Sequence, residues 1–262
     1  MSEPAKAVTA LVDGERATGL PLEDAAIWTG MGVFETVRTA QGHIVRLDEH
    51  MQRLDESARW MGWTWDRRAT AEELTSLGRP AGDWKLNVLL TERHRVVMAW
   101  PLDQTRVGAP VRCATVGWEP LPWLPGFVKH TSRMGWILAV RDAAVRLGEP
   151  LDEVIWRDAS GSWLEANRSN IVGVLDGAIW TPPLDGRILA GITRSRVVDA
   201  ARALGVPVRE APLPATTPWD ELYLCSTLKE LAPVSRLDGR ALPGDGPVGL
   251  RLRERMLAEL AD

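Results

Sequence analysis

Apolar and polar residues alternate along 30–40, which predicts a strand closed by the Gln41-Gly42 turn and followed by a return strand over 43–46. The period then changes. Leu47, Met51, Leu54, Ala58 and Met61 stand three or four residues apart, the spacing of an amphipathic helix over 47–61. Before this block, a strand over 8–12 turns through Asp13-Gly14 into a short second strand, and 22–29 leads into the glycine-flanked segment. Beyond it, 85–90 and 95–100 pair as a hairpin and 111–116 forms another strand. The Pro- and Trp-broken stretch 118–128 is the best boundary, dividing the chain into 1–117 and 129–262. The second part predicts a helix over 134–147 stopped by Gly148, then strands over 153–157, 163–165, 170–174 and 178–180. A helix over 193–204, strands over 206–210 and 221–225, and a terminal helix over 249–260 complete it. Strands and helices do not alternate regularly, so the fold class is α+β rather than a doubly wound nucleotide-binding fold. No GxGxxG or P-loop motif and no internal repeat is present.

Composition narrows the function classes. A 262-residue chain with 45% hydrophobic residues can bury a substantial core. Its formal net charge of -4 and lack of a basic cluster argue against a nucleic-acid surface and favour a small-molecule partner. No stretch approaches the roughly 20 apolar residues of a membrane span. The start Met1-Ser2-Glu3-Pro4-Ala5-Lys6 lacks a signal-peptide core, so a cytoplasmic location is expected. Cys113 and Cys225 each lie in an apolar strand-like run, which predicts packed core thiols and neither a disulfide nor a metal cluster. Thirteen tryptophans stand beside one tyrosine and two phenylalanines. Genome-driven composition accounts for much of this, with ligand stacking as the other reading.

The candidate chemistry begins at Lys129. Only four of the 31 Lys and Arg residues are lysines: Lys6, Lys85, Lys129 and Lys229. An amine can lose its proton and form a Schiff base, and a guanidinium cannot. Read alone, Lys129 is a surface lysine at a helix start. Arg53 lies near the apolar side of the 47–61 helix, where its guanidinium needs an anion such as a phosphate, unless its stem simply covers apolar surface. Gly191-Ile192-Thr193-Arg194 opens a helix whose backbone N–H groups suit a phosphate, or are an ordinary N-cap. Ser226-Thr227 follows a strand end, where the hydroxyls face a site or cap the next segment. Glu165 lies between apolar strand residues and a polar turn, able to hold a protonated ring nitrogen or a salt bridge to Arg168 or Arg157.

Taken in order, these segments resemble the fold type IV pyridoxal-phosphate enzymes, also called class IV aminotransferases. The residues that carry the resemblance are 32–38, 49–54, Lys129, Glu165 with Ser169-Asn170-Ile171, Thr181-Pro182-Pro183, 191–194, and Ser226-Thr227 with Ala232-Pro233-Val234. The resemblance implies a two-domain architecture like that of D-amino-acid aminotransferases. A smaller N-terminal α/β domain is joined to a larger C-terminal domain carrying the lysine, with the cofactor at their interface in a homodimer. It implies pyridoxal 5'-phosphate as cofactor and an amino compound as substrate. Lys129 would be the Schiff-base lysine and Glu165 the partner of the pyridine nitrogen. Arg53, Ile192, Thr193 and Thr227 would bind the phosphate, and Thr36, Arg93 and Arg133 are substrate candidates.

The segment Lys129-His130-Thr131-Ser132-Arg133-Met134 resembles the Lys-His-x-x-Arg pattern of 4-amino-4-deoxychorismate lyases, whereas branched-chain aminotransferases usually carry tyrosine where Met134 stands. The expected reaction is therefore conversion of 4-amino-4-deoxychorismate to 4-aminobenzoate and pyruvate, a step of folate biosynthesis. Transamination of a branched-chain, D-amino acid or R-amine substrate is the alternative, and a catalytically silent relative the third reading. Two departures from the family pattern stand out. No glycine follows Arg93, so Arg93, His94 or Arg95 would have to supply carboxylate recognition, and Met31 replaces the usual aspartate between Gly30 and Gly32.

Overall fold

The computed structural model describes residues 9–78, 82–119, 121 and 123–260. Lys6, Val8, Pro120 and Pro122, which entered the sequence reading, lie outside the described residues. The chain divides into two compact units, 1–104 with 128–133, and 105–127 with 134–262. The expected boundary thus differs in two places: the strand over 111–116 belongs to the second unit, and Lys129 belongs to the first. Both differences arise from pairing between distant segments, which composition along the chain does not register.

The first unit holds β1 (Thr9–Val12), β2 (Glu15–Arg16), α1 (Ala25–Thr29), β3 (Val33–Ala40), β4 (His43–Ile44), α2 (Leu47–Trp60), α3 (Arg67–Gly78), β5 (Trp84–Leu90) and β6 (Arg95–Pro101). Its sheet has the order β2-β1-β6-β5-β3-β4, all antiparallel. Val33 and Val37 of β3, Leu86, Val88 and Leu90 of β5, and Val97 and Ala99 of β6 form one core with Met51, Leu54 and Ala58 of α2 and Leu74 of α3. The strand expected over 43–46 stops at Ile44, because Arg46 turns left-handed (φ 54, ψ 46) to start α2. Asp48 and Glu49 in the first turn of α2 suit its dipole. No clear sequence period announces α3. It buries only Thr70, Leu74 and Gly78, a thin apolar stripe, and Asp66 accepts from Ala69 N at 2.9 Å to cap it.

Residues 129–132 return to this unit along the start of β3. Phe34 N donates to Lys129 O at 2.9 Å, and Thr131 N donates to Gly32 O at 2.8 Å. The two glycines flanking Met31 make this approach possible. A Cβ on Gly30 (φ 69) would meet Ser132 Oγ at 2.8 Å, and one on Gly32 would meet Leu89 Cδ1 at 2.9 Å. Met31 itself is exposed, so packing does not dictate its identity.

The second unit holds β7 (Val111–Gly117), α4 (Met134–Leu147), β8 (Glu153–Arg157), β9 (Ser162–Ala166), β10 (Asn170–Leu175), β11 (Ala178–Thr181), α5 (Ile192–Ala203), β12 (Val208–Glu210), β13 (Leu213–Pro214), β14 (Glu221–Ser226), β15 (Glu230–Leu237), β16 (Arg240–Ala241) and α6 (Pro247–Ala258). Nine strands run in the order β12-β11-β10-β14-β15-β7-β8-β9-β13, and β16 pairs with β15. Parallel pairs (β11/β12, β15/β7, β7/β8) mix with antiparallel ones, as the α+β reading expects. Val197 and Ala201 of α5, with Leu252 and Met256 of α6, pack on Val172, Tyr223 and Cys225.

Both cysteines are buried, Cys113 in β7 and Cys225 in β14, and burial pushes the Cys225 thiol up to about 12. Several tryptophans pack on one another: Trp156 lies 5.4 Å from Trp118 and 6.4 Å from Trp136, and Trp180 lies 6.1 Å from Trp219. These rings are accounted for by packing in this unit. Among the described residues, no helix is long and apolar enough to cross a membrane.

Candidate active site

β3 presents two different surfaces, because successive side chains point to opposite faces of a strand. Glu35 shares the helix-facing side with Val33 and Val37. There its Oε1 accepts from Arg53 Nε at 2.7 Å, and its Oε2 accepts from Arg53 Nη2 at 2.8 Å and lies 2.8 Å from His50 Nδ1. Arg53 and His50 stand three residues apart on the buried stripe of α2, so one carboxylate fastens the helix to the sheet. Burial alone would raise the Glu35 carboxyl. The Arg53 charge and the His50 hydrogen bond outweigh it and hold Glu35 well below the usual carboxylate range. Burial acts first on His50 also, and lowers it. The anion that Arg53 required is therefore Glu35.

Phe34, Thr36 and Arg38 occupy the other face. The bridge between Val33 and His130 sets Lys129 opposite Phe34, on this same face. Lys129 Nζ lies 4.9 Å from the Phe34 ring centre and Arg133 Cζ lies 4.5 Å from it. Lys129 N donates to Ser57 Oγ at 3.3 Å, which ties its backbone to α2. Thr36 is the one partly exposed residue of β3. Register places Asn87 opposite Thr36 and Lys85 opposite Arg38. Thr36 and Arg133, two of the expected substrate residues, thus share a face with Lys129. Arg93 does not lie on these strands: it is exposed between β5 and β6, and its N–H goes to Thr91 Oγ1 at 3.2 Å. Its neighbours are engaged elsewhere, His94 with Asp13 at 2.8 Å and Arg95 with Glu73 at 2.6 Å. His130 points to the helix side. Burial, followed by the charges of Arg133 and Lys129, pushes its imidazole down to about 4.

In the second unit, Glu165 projects from β9. Its Oε2 accepts from Asn170 Nδ2 at 3.1 Å and from Leu189 N at 3.2 Å. Neither partner is Arg168, which donates instead from its Nη2 to Asp152 O at 2.6 Å. Asn170 also donates to Leu189 O at 2.9 Å, so one amide joins the carboxylate to the loop entering α5. Gly191 caps that helix without a side-chain hydrogen bond. A Cβ there would fall 1.8 Å from Asn170 Oδ1, which requires glycine. Ile192 and Thr193 open α5, where N–H groups lack intrahelical acceptors. Arg194 is structural: it donates to Thr181 Oγ1, Pro182 O and Glu210 at 2.7–3.1 Å. Cys225 pairs with Asn170, so Ser226 and Thr227 emerge at the same sheet end. Tyr223 is fully buried, donating to Glu221 Oε2 at 2.6 Å and accepting from Gly246 N at 2.9 Å.

Sequence reasoning gave no role to Glu35, His50, Lys85 or Asn170. Glu35 and Asn170 lay inside quoted segments, and Lys85 had its rarity as a signal, but only strand register shows which side each occupies.

Residues 32–237 match the amino-transferase class IV family. D-alanine aminotransferase of Listeria monocytogenes is 27% identical over 95% of this chain and 93% of its own. A bifunctional aminodeoxychorismate lyase / D-amino acid transaminase of Mycobacterium tuberculosis is 29% identical over 88% of this chain and 92% of its own. A solved structure, the pyridoxal-phosphate-bound form of a hypothetical aminotransferase from Mycobacterium tuberculosis, superposes with a TM-score of 0.86 at 27% identity, covering 96% of this chain and 98% of that one. The chain belongs to the class IV aminotransferases, a family of pyridoxal-phosphate-dependent enzymes.

Proposed function

We propose that the protein cleaves 4-amino-4-deoxychorismate to 4-aminobenzoate and pyruvate. The observation that carries this reading is the shared face of Lys129, Arg133 and Thr36: an amine, a guanidinium and a hydroxyl on one half-open sheet surface. The residues suit the cofactor. Lys129 offers an amine, Glu165 a carboxylate held by two neutral donors, and the uncapped start of α5 offers N–H groups to a phosphate. Bound pyridoxal phosphate supplies a carbonyl that condenses with amines and a ring that withdraws electrons from the amine-bearing carbon.

Lys129 would hold the cofactor through its amine and, with that amine free, would take the proton from the amine-bearing carbon of the substrate. Glu165 keeps a positive charge on the ring nitrogen, and Asn170 fixes the direction of its carboxylate. Ile192 and Thr193, through backbone N–H groups, and Thr227, through its hydroxyl, hold the phosphate. Arg53 would offer its guanidinium to the phosphate while Glu35 steadies it. Arg133 attracts the substrate carboxylate. Thr36 would offer its hydroxyl to the substrate, as a proton source for the leaving enolpyruvyl group. Arg93 stays a substrate candidate only by way of a movement of its exposed turn.

Transamination is the second reading, supported by the names of the relatives from Listeria and Mycobacterium. In that case Lys129 would both take the proton and give it back, the transfer that transamination requires. The same protein is assayed with aminodeoxychorismate, following 4-aminobenzoate and pyruvate, and with D- and L-amino acids plus 2-oxo acids. Formation of both products, with loss in Lys129→Ala, is expected. Turnover of the amino-acid panel alone would overturn the lyase reading.

The proposal extends to a cytoplasmic homodimer. Met134, Ile137, Leu138 and Val145 form an exposed apolar stripe along α4, supporting contact with a second subunit. Light scattering at twice the 28.9 kDa chain mass is the expected result, and fractionation tests the location.

A further inference from the structure

The face of β3, β5 and β6 that bears Lys129 brings a second amine, Lys85, to the same surface. Strand alternation and register gather Phe34, Thr36 and Arg38 of β3 beside Lys85, Asn87 and Leu89 of β5, with Val96, Met98 and Trp100 of β6 next along. Arg38, Lys85, Lys129 and Arg133 supply the cations. None of these nine strand positions is Asp or Glu. Lys85 Nζ lies 4.5 Å from the Trp100 ring centre, so an aromatic face and not a carboxylate supports it. Burial first, and the Arg133 charge second, lower the Lys85 ammonium. Leu86, Val88 and Leu90 are buried on the opposite side, whereas Lys85, Asn87, Leu89, Met98 and Trp100 are half-open. Asn87 Oδ1 is buried with no hydrogen-bond donor in range, so a ligand with a hydroxyl or amino donor would complete it.

We infer that Lys85 is a specificity-determining residue that binds the second carboxylate of the substrate. This rests on the reaction proposed above and deepens it: Arg133 takes one carboxylate near Lys129, and Lys85, with its stem against Trp100, takes the other. A monocarboxylate seated at Arg133 would leave the Lys85 ammonium against the Trp100 ring with no carboxylate brought to it.

The test uses the protein loaded with pyridoxal phosphate and two unreactive probes, isophthalate with two carboxylates and benzoate with one, with binding read by calorimetry. The wild type is expected to bind isophthalate at least about tenfold more tightly than benzoate, a difference of about 1.4 kcal/mol. In Lys85→Met and Lys85→Gln that ratio falls to about one, and Lys85→Arg restores most of it. An equal ratio in the wild type, or a ratio that neither neutral variant changes, overturns the inference. The two readings fail separately. Cofactor absorbance lost with Lys129→Ala, together with turnover of any amino donor, reports on the enzyme reaction. The probe ratio reports on Lys85 alone.

Discussion

Two buried carboxylates, one in each unit, are held in opposite ways. Glu35 meets a guanidinium through both oxygens and an imidazole through one, whereas Glu165 meets an amide and a peptide N–H, both neutral and both on Oε2. The Glu35 charge is compensated inside the protein, so its work is to fasten α2 to β3 and thereby set the strand beside Lys129. An amide and a peptide N–H fix the direction of Oε2 of Glu165, which suits a carboxylate meant to face a cation brought by a ligand. An ion pair fastens the anchor, whereas two hydrogen bonds aim the carboxylate of the candidate site.

The largest way to break this contrast is Glu35→Gln. It strands the Arg53 guanidinium in the core, and breaking a buried pair costs about 3–5 kcal/mol. Urea unfolding should show that loss. The acid limb of the same measurement carries a sign. Glu35 titrates below its ordinary 4.5 when folded, so its contribution is fully present above that value and is lost as the pH falls further. Glu35→Gln should therefore remove part of the acid-induced drop in stability. Gly191→Ala is next, at about 1–3 kcal/mol, because the new methyl overlaps Asn170 Oδ1. If Asn170→Ala in the same chain fails to relieve that cost, the packing account of Gly191 is wrong. Glu165→Gln should cost only about 1 kcal/mol of stability, yet lower turnover by about two orders of magnitude. A Glu165 variant as unstable as the Glu35 variant would erase the distinction between the two carboxylates.

Elements with a clean period were legible from sequence. The alternation of β3, the three-and-four spacing of α2 and the β5–β6 hairpin all stand close to where the pattern puts them. The thin stripe of α3 was not, and β15 was hidden because Pro233 interrupts its reading as a strand. Sheet membership was the harder problem. β7 lies between β15 and β8 in parallel pairings more than 30 residues away in sequence, and no local pattern encodes such partners. The same holds within the candidate site. Lys129, Glu165 and the Gly191 turn could be nominated by residue type and order. That Arg53 is claimed by Glu35, and that Lys85 rather than Arg93 shares the Lys129 face, depends on which side of a strand each residue occupies. A shift of one residue in register would reverse both conclusions.

The smallest effect concerns His130, which the helix-facing side of the first unit holds neutral. An unfolded chain takes up this proton near the ordinary 6.5, and the folded chain only near about 4. Between those values the unfolded state binds more protons, so stability rises with pH across that window and falls as the solution is acidified through it. His50 is lowered too and adds a slope of the same sign, so the wild-type curve alone does not isolate either residue. His130→Asn should flatten the curve between about 6.5 and 4 while leaving the steeper fall below 4.5 that belongs to Glu35. A slope unchanged by that substitution would mean that His130 can be protonated in the folded chain at mild pH. The burial and neighbouring charges of Lys129 and Arg133 would then be too weak to keep it neutral.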